Sequence, residues 1–413
     1  MKHRITRLLI VSVCLVSLSE SVWACTTAIV SGKYTVDGRP LLFKQRDTPD
    51  LENKLLAFSD GKYSYIGLVN TKDTLGKAVF GGFNKAGFAI MNSASYNLNL
   101  NDSGKDDGCD GQIMKLALQK CATLADFEHL LDSLPKPLNV SANFGVIDAK
   151  GGAAYYETGN YSYKKYDANN PDIAPLGYIV RTNFSYSGNR QQDKGLSRYQ
   201  AAQNLLYQAS LTNSISVDFF ISVSRNLKHG LTHTNLYETV PATSHEAVFT
   251  AFRDYIPRYF TASSIVVQGI TGKERPEQTI MWTMLGSPLS TVSIPVWLST
   301  SLKLPEILQA EPKTRKAKLN DWSLQLKKQI FPIERGEGND YINLAALLTQ
   351  DQKGILQKVI LIEKQVRTQA LIYQNKWRTA GVVNEKELAL FYNWIDKFLS
   401  LSYHDNFDIQ TDL

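Results

Sequence analysis

The sequence predicts an α+β protein in which antiparallel sheets are layered against helices. Three observations predict it. β-prone runs occur as hairpins before residue 100, and strand-like runs return over 142–182 and 263–294. Amphipathic stretches of helical period stand between these blocks, at 111–133, 195–210 and 216–227, so the order is not the alternating βαβ of a parallel sheet. After Pro305 the strand signal fades, and 340–400 is mostly helical by period with a break at Gly381.

The first hairpin runs from Thr26-Thr27-Ala28-Ile29-Val30 through the Asp37-Gly38 turn to Leu41-Leu42-Phe43-Lys44-Gln45-Arg46-Asp47. This places Cys25 at the start of one strand and Asp47 beside it on the neighbour. A second hairpin is expected from 78–80 and 88–91 about a turn at 84–87. Residues 111–133 divide into two short helices, the second opening at Thr123. Strands are expected at 142–147 and 153–157 about Lys150-Gly151-Gly152, then at 178–182, 263–268, 279–284 and 290–294.

The chain has 413 residues and a formal net charge of +6, with no Lys/Arg cluster, which gives no reason to expect a nucleic-acid partner. No GxGxxG or P-loop string is present, and no cofactor is implied. His229 and His233 stand four apart, but Gly230 weakens a helix there and no acidic residue completes a zinc pattern, so no metal is expected. Lys2, His3, Arg4 and Arg7 precede an apolar run at 8–18, too short to span a bilayer as a mature helix. With Val22-Trp23-Ala24 these read as a signal peptide, 1–24, cut after Ala24. The expectation is an exported protein, periplasmic or secreted, with no stable membrane insertion after the cut.

Cys14 would leave with the signal, and Cys25, Cys109 and Cys121 remain, an odd number that hints at a free thiol. A helix between Cys109 and Cys121, at ~1.5 Å per residue, holds them beyond disulfide reach. Cutting after Ala24 frees the α-amine of Cys25. Its reference pKa of about 7.7–8.0 lies near the thiol's, about 8.5, so the neutral amine can take the thiol proton. One residue then supplies nucleophile and base. The chemistry further needs a group to hold the amine, for which the hairpin offers Asp47, and a donor for the oxyanion, such as an Asn amide. Lipoproteins also carry an acylated cysteine at this position, although Trp23 is bulky for their signal.

The string Cys25-Thr26-Thr27…Asp37-Gly38…Lys44-Gln45-Arg46-Asp47 resembles the start of cysteine-type N-terminal nucleophile (Ntn) hydrolases, nearest in pattern to the acyl-coenzyme A:6-aminopenicillanate acyltransferase family. Choloylglycine hydrolases, penicillin V acylases and a dipeptidase family beginning Cys-Thr-Thr share much of it. Later pieces follow in order: Gly81-Gly82-Phe83-Asn84-Lys85-Ala86-Gly87, Arg181-Thr182-Asn183, Ser197-Arg198-Tyr199, and Met281-Trp282 with Leu285-Gly286-Ser287-Pro288 and Ile294-Pro295. The resemblance covers roughly residues 25–300. It implies an αββα sandwich of the Ntn type over 25–300, with 301–413 as a mostly helical C-terminal extension.

The resemblance also implies hydrolysis of a linear amide, or acyl transfer, through a thioester on Cys25. Asp47, Asn183 as oxyanion donor and Arg198 join Cys25 in the catalytic set, and Arg46 and Asn92 stand on the substrate side. Choloylglycine hydrolases carry an Arg three residues before the Asp, where this chain has Lys44, so the cation beside Cys25 is Lys44 or Arg46. Candidate substrates are small-molecule amides: N-acyl amino acids, bile-acid conjugates, penicillin side chains or dipeptides. A homo-oligomer is compatible with these readings. The alternatives are an N-terminal cysteine dipeptidase and, from another class, a non-enzymatic lipoprotein lipidated at Cys25.

Overall fold

A computed structural model describes residues 24–100, 102, 108–189, 191 and 194–411, and the expected signal peptide, up to residue 23, lies outside them. Two antiparallel sheets carry the fold. β1 (Ala24–Val30) and β2 (Leu41–Asp47) form the expected hairpin at the centre of a six-stranded sheet. β3 (Asn53–Phe58), β4 (Tyr65–Asn70), β5 (Gly81–Asn84), β6 (Ala89–Ala94), β7 (Ala142–Ile147), β8 (Ala153–Thr158) and β9 (Tyr163–Asp167) form a seven-stranded meander. β10 (Tyr178–Arg181), β12 (Thr261–Gln268), β13 (Ile280–Leu285) and β14 (Ile294–Val296) complete the first sheet in the order β10-β1-β2-β12-β13-β14. β11 (Phe249–Ala251) pairs separately with β15 (Tyr341–Asn343).

The register of the central hairpin decides what each side chain faces. Cys25 lies opposite Arg46, Thr27 opposite Lys44, and Ala24 opposite Asp47. Cross-strand partners share a face and successive residues alternate. Cys25, Thr27, Lys44 and Arg46 therefore face the second sheet, where the Tyr155 hydroxyl on β8 donates to Thr27 Oγ1 at 2.8 Å. Ala24, Thr26, Phe43, Gln45 and Asp47 face the helices.

α1 (Asp110–Lys120) and α2 (Leu124–Ser133) cover the outer face of the meander. Phe127 of α2 meets Phe144 and Tyr156 edge-on at 5.7 and 5.2 Å. α3 (Leu196–Leu211) and α4 (Val217–Val223) cover the six-stranded sheet, and Phe220 stacks on Phe43 at 4.9 Å. α5 (Lys318–Ile330), α6 (Leu344–Leu347), α7 (Ile355–Ala380) and α8 (Glu385–Phe407) extend that layer over β13 and β14. Trp297 packs edge-on against Trp377 of α7 at 5.2 Å, and the Tyr392 hydroxyl of α8 donates to the Trp297 carbonyl at 3.0 Å. The molecule is thus an αββα sandwich with a helical C-terminal extension, and one hydrophobic cluster runs from Ala28 to Ile409. Among the described residues no helix is long and apolar enough to cross a membrane.

Several boundaries differ from the sequence reading. Residues 78–80 precede the second hairpin, whose first strand is 81–84. Asn84 ends that strand and shapes the turn, its Oδ1 accepting from the amides of Ala86 (3.0 Å) and Phe88 (3.2 Å). The 216–227 helix stops at Val223. The structure adds β3, β4 and β9 to the strands expected from the sequence; polar residues open β3 and run through β9, and Gly67 breaks the β-prone run of β4. β9 is an edge strand carrying exposed Lys164 and Lys165, a pattern that protects edges from mispairing. α1 separates Cys109 from Cys121, which is buried and forms no disulfide. Burial pushes the Cys121 thiol up to about 12.

Candidate active site

Asn183 follows β10, the strand beside β1, and so arrives next to Cys25. The Cys25 backbone N–H donates to Asn183 Oδ1 at 3.1 Å. Arg198 enters from the first turn of α3. Its Nη1 donates to the Cys25 carbonyl at 2.6 Å and to Thr26 Oγ1 at 3.1 Å, and its Nη2 donates to Asn183 Oδ1 at 2.8 Å. Gly195, at φ +79°, makes this approach possible: a Cβ there would stand 2.4 Å from Arg198 Nη2. Burial pulls the Arg198 guanidinium down to about 10, helped by the neighbouring charge of Arg258. Cys25, Asn183 and Arg198 are therefore joined directly.

Asn183 is oriented differently from the sequence expectation. Two donors converge on its Oδ1, and its Nδ2 donates to the Ala94 carbonyl at 3.0 Å. The side chain thus presents an acceptor to Cys25 N, where the sequence reading had an N–H aimed at an oxyanion.

Asp47 is also placed differently. It pairs with Ala24 in the register, but its carboxylate lies on the helix face and accepts from Arg258 Nε at 2.8 Å and Thr261 Oγ1 at 2.7 Å. Asn183 holds the position next to Cys25 N that the hairpin argument gave to Asp47. Backbone adjacency was legible in the sequence, whereas the alternation of faces sends the carboxylate elsewhere.

Both candidate cations lie on the Cys25 face of β2. Lys44 Nζ donates to Asn92 Oδ1 and to the Phe80 carbonyl, each at 2.6 Å. Burial pulls the Lys44 amine down to about 8, with Cys25 favouring its charge and Arg46 opposing it. Arg46, directly opposite Cys25, spends its guanidinium on Asn53 Oδ1 and on Asn70 Oδ1 (2.8 Å), and lies 3.9 Å over the Phe80 ring. Asn92 does not stand open to a ligand: it bridges Lys44 to Asp110, whose carboxylate accepts from Asn92 Nδ2. Asp110 and Arg258 were not singled out in the sequence. Asp110 reads there only as an acidic first-turn residue, and nothing near Arg258 advertises its partner 211 positions away.

A cavity of about 360 Å³ opens at the start of β1, lined by Ala24, Asn183, Arg198 and Arg258 and by residues of the C-terminal segment. The backbone nitrogen of Cys25 lies between two of these lining residues.

The model of the acyl-coenzyme A:6-aminopenicillanic acid acyl-transferases matches residues 35–262, more than half of the 413-residue chain. The chain belongs to this family. Membership makes the protein an amide-acting hydrolase or acyltransferase of the Ntn type. Solved structures similar to it include the Caenorhabditis elegans ortholog of N-acylethanolamine-hydrolyzing acid amidase, at 16% identity over 61% of this chain and 93% of that one, TM-score 0.39. Penicillin V acylase from Agrobacterium tumefaciens is similar at 11% identity over 67% and 86%, TM-score 0.38. A variant of conjugated bile acid hydrolase from Clostridium perfringens is similar at 10% over 66% and 92%, TM-score 0.38. The comparison with curated proteins gave no match.

Proposed function

We propose that this acyl-transferase family member is exported, is cut after Ala24, and cleaves or transfers the acyl group of a small linear amide through a thioester on Cys25. The observation that carries the reading is the convergence on Cys25: Asn183 Oδ1 lies 3.1 Å from its nitrogen, and Arg198 ties its carbonyl to that same oxygen. Once the cut converts the amide N–H into an amine, Asn183 holds the amine lone pair in place, and the amine takes the thiol proton. The thiolate attacks the amide carbonyl. Lys44 and Arg46, on the same face, offset the negative charge that forms. The amine then returns the proton to the leaving nitrogen, the thioester forms, and water or an acceptor amine releases the acyl group.

The test is direct. Intact mass and N-terminal sequencing of the protein from its native host should give an unmodified chain starting at Cys25. Cys25→Ser in that chain should lose most turnover on a panel of N-acyl amino acids while melting like the wild type. An acylated Cys25, or undiminished turnover in the serine variant, would remove the nucleophile.

A further inference from the structure

Lys44 and Arg46 are two cations on one buried strand face. Their like charges oppose each other, and burial favours the neutral amine of Lys44. The hydrogen bonds of Lys44 Nζ, to Asn92 Oδ1 and to the Phe80 carbonyl, do not fix its charge, because a neutral amine donates to the same oxygens. Another group must keep the proton on Lys44 if that side chain is to offset charge at Cys25.

A carboxylate stands one side chain away. Asp110 opens α1, which packs on β5 and β6. Its Oδ1 accepts from the Gly111 amide at 3.0 Å, and its Oδ2 accepts from Asn92 Nδ2. The first turn of a helix suits a negative group. Asn92 turns its oxygen to Lys44 at 2.6 Å. A carboxylate at one end of an amide polarises it and strengthens the oxygen at the other end as an acceptor. Carboxylate, amide and ammonium thus stand in line, and Lys44 and Asn92 are buried, where such alignment counts most. Asp110 also favours the charge of Arg46, as does Asp50.

The other groups that face Lys44 do not fill this part. Cys25 faces it from β1 and is the group it serves. Arg46, on its own strand, opposes its charge. Tyr155 of β8 bonds to Thr27, the cross-strand partner of Lys44, and burial raises its hydroxyl further into the neutral form. On β12 its cross-strand partner is Ile265. We propose that Asp110 is a positioning residue that acts on Cys25 through two side chains: it orients the Asn92 amide, and that amide keeps Lys44 a charged ammonium on the thiol face of β2. Its effect on turnover rests on the thioester reading given above, whereas its hold on Lys44 does not.

Removing the charge while keeping the shape tests this. Asp110→Asn, in the chain starting at position 25, still offers an oxygen to Asn92 but carries no charge. Loss of a negative neighbour favours the neutral amine, so Lys44 should release its proton at lower pH. The carbon-13 signal of Lys44 Cε, identified by its disappearance in Lys44→Met, should titrate at about 8 in the wild type and about one pH unit lower in Asp110→Asn. The alkaline limb of kcat/KM on N-acyl amino acids should move down with it. A merely structural role would lower activity at every pH and leave the limb in place. Asn92→Leu breaks the relay with Asp110 intact; it should also lower the Lys44 midpoint, and it reports if Asp110→Asn fails to fold. An unmoved midpoint in either folded variant would overturn the proposal. A lowered midpoint in a chain that cleaves no amide would uphold the relay and sink the thioester reading, and an active amidase with an unmoved midpoint would do the reverse.

Discussion

At the scale of single residues, the orientation of Asn183 separates two roles. If its Oδ1 positions the Cys25 amine, Asn183→Ala should lower turnover by about a hundredfold or more with little change in KM, an effect of the size seen when one preorganised polar group is lost. Asn183→Asp keeps an acceptor in the same place, so it should retain more activity than the alanine variant. If the side chain serves the oxyanion through its N–H, the aspartate variant should be the worse of the two, because a carboxylate repels the developing charge. Steady-state kinetics with thermal melts on both variants decide between them.

Lys327 of α5 gives a second residue-scale prediction. It is 3% exposed, its Nζ finds no hydrogen-bond partner among the described residues, and it lies 4.0 Å over the Tyr259 ring. Burial draws the amine down to about 7, against the attraction of Asp47. In the unfolded chain the lysine keeps its proton up to about 10.4. Between those values the unfolded state binds more protons, so stability rises with pH, and the cost of the buried ammonium is full below about 7. Lys327→Met should therefore raise Tm at pH 7, and the gain should shrink by pH 9.5. Equal gains at both pH values would show that the lysine titrates normally in the fold.

At the scale of elements, α4 and α7 meet through an ion pair. Arg225, just after α4, donates through Nη1 and Nη2 to Glu363 of α7 at 2.8 and 2.7 Å. Its Nε and Nη2 also reach the carbonyls of Pro288 and Thr291, each at 2.9 Å, and Glu363 accepts from the Ser293 amide at 2.6 Å. Both side chains are nearly dry and almost fully bonded. Removing one partner strands the other, at a cost of about 3–5 kcal/mol. Glu363→Ala should show that loss in urea denaturation. A loss below about 1 kcal/mol would mean that water reaches the pair.

At the scale of the whole molecule, the C-terminal segment closes one face of the core. Trp297, Leu326, Val359, Trp377 and Ile395 are fully buried there, and each large side chain contributes roughly 1.5–3 kcal/mol by leaving water. A chain ending at residue 300 should expose β13 and β14 and lose β15, and with it part of the lining of the cavity at the start of β1. It should be recovered aggregated, as size-exclusion chromatography would report. A monomeric truncation with native turnover would show that the segment is dispensable to both core and cavity.

The sequence by itself determined the hairpin that begins at Cys25, the Thr123 cap of α2, and the helices before and after the sheet strands. These are local signals, carried by turn residues, period and ordered motifs. Only the tertiary structure decided which face each residue takes and what it meets there. Asp47 lies beside Ala24 in the chain pairing, yet the two-residue period of β2 turns its carboxylate to Arg258 and leaves Lys44 and Arg46 with Cys25. Asn92 and Asp110 are brought together 18 residues apart by the packing of α1 on the meander. Residues 336–340 reach the cavity only because β15 pairs with β11. Hydrogen bonding across such separations leaves no local trace in sequence, because the partners are selected by the packing of whole layers.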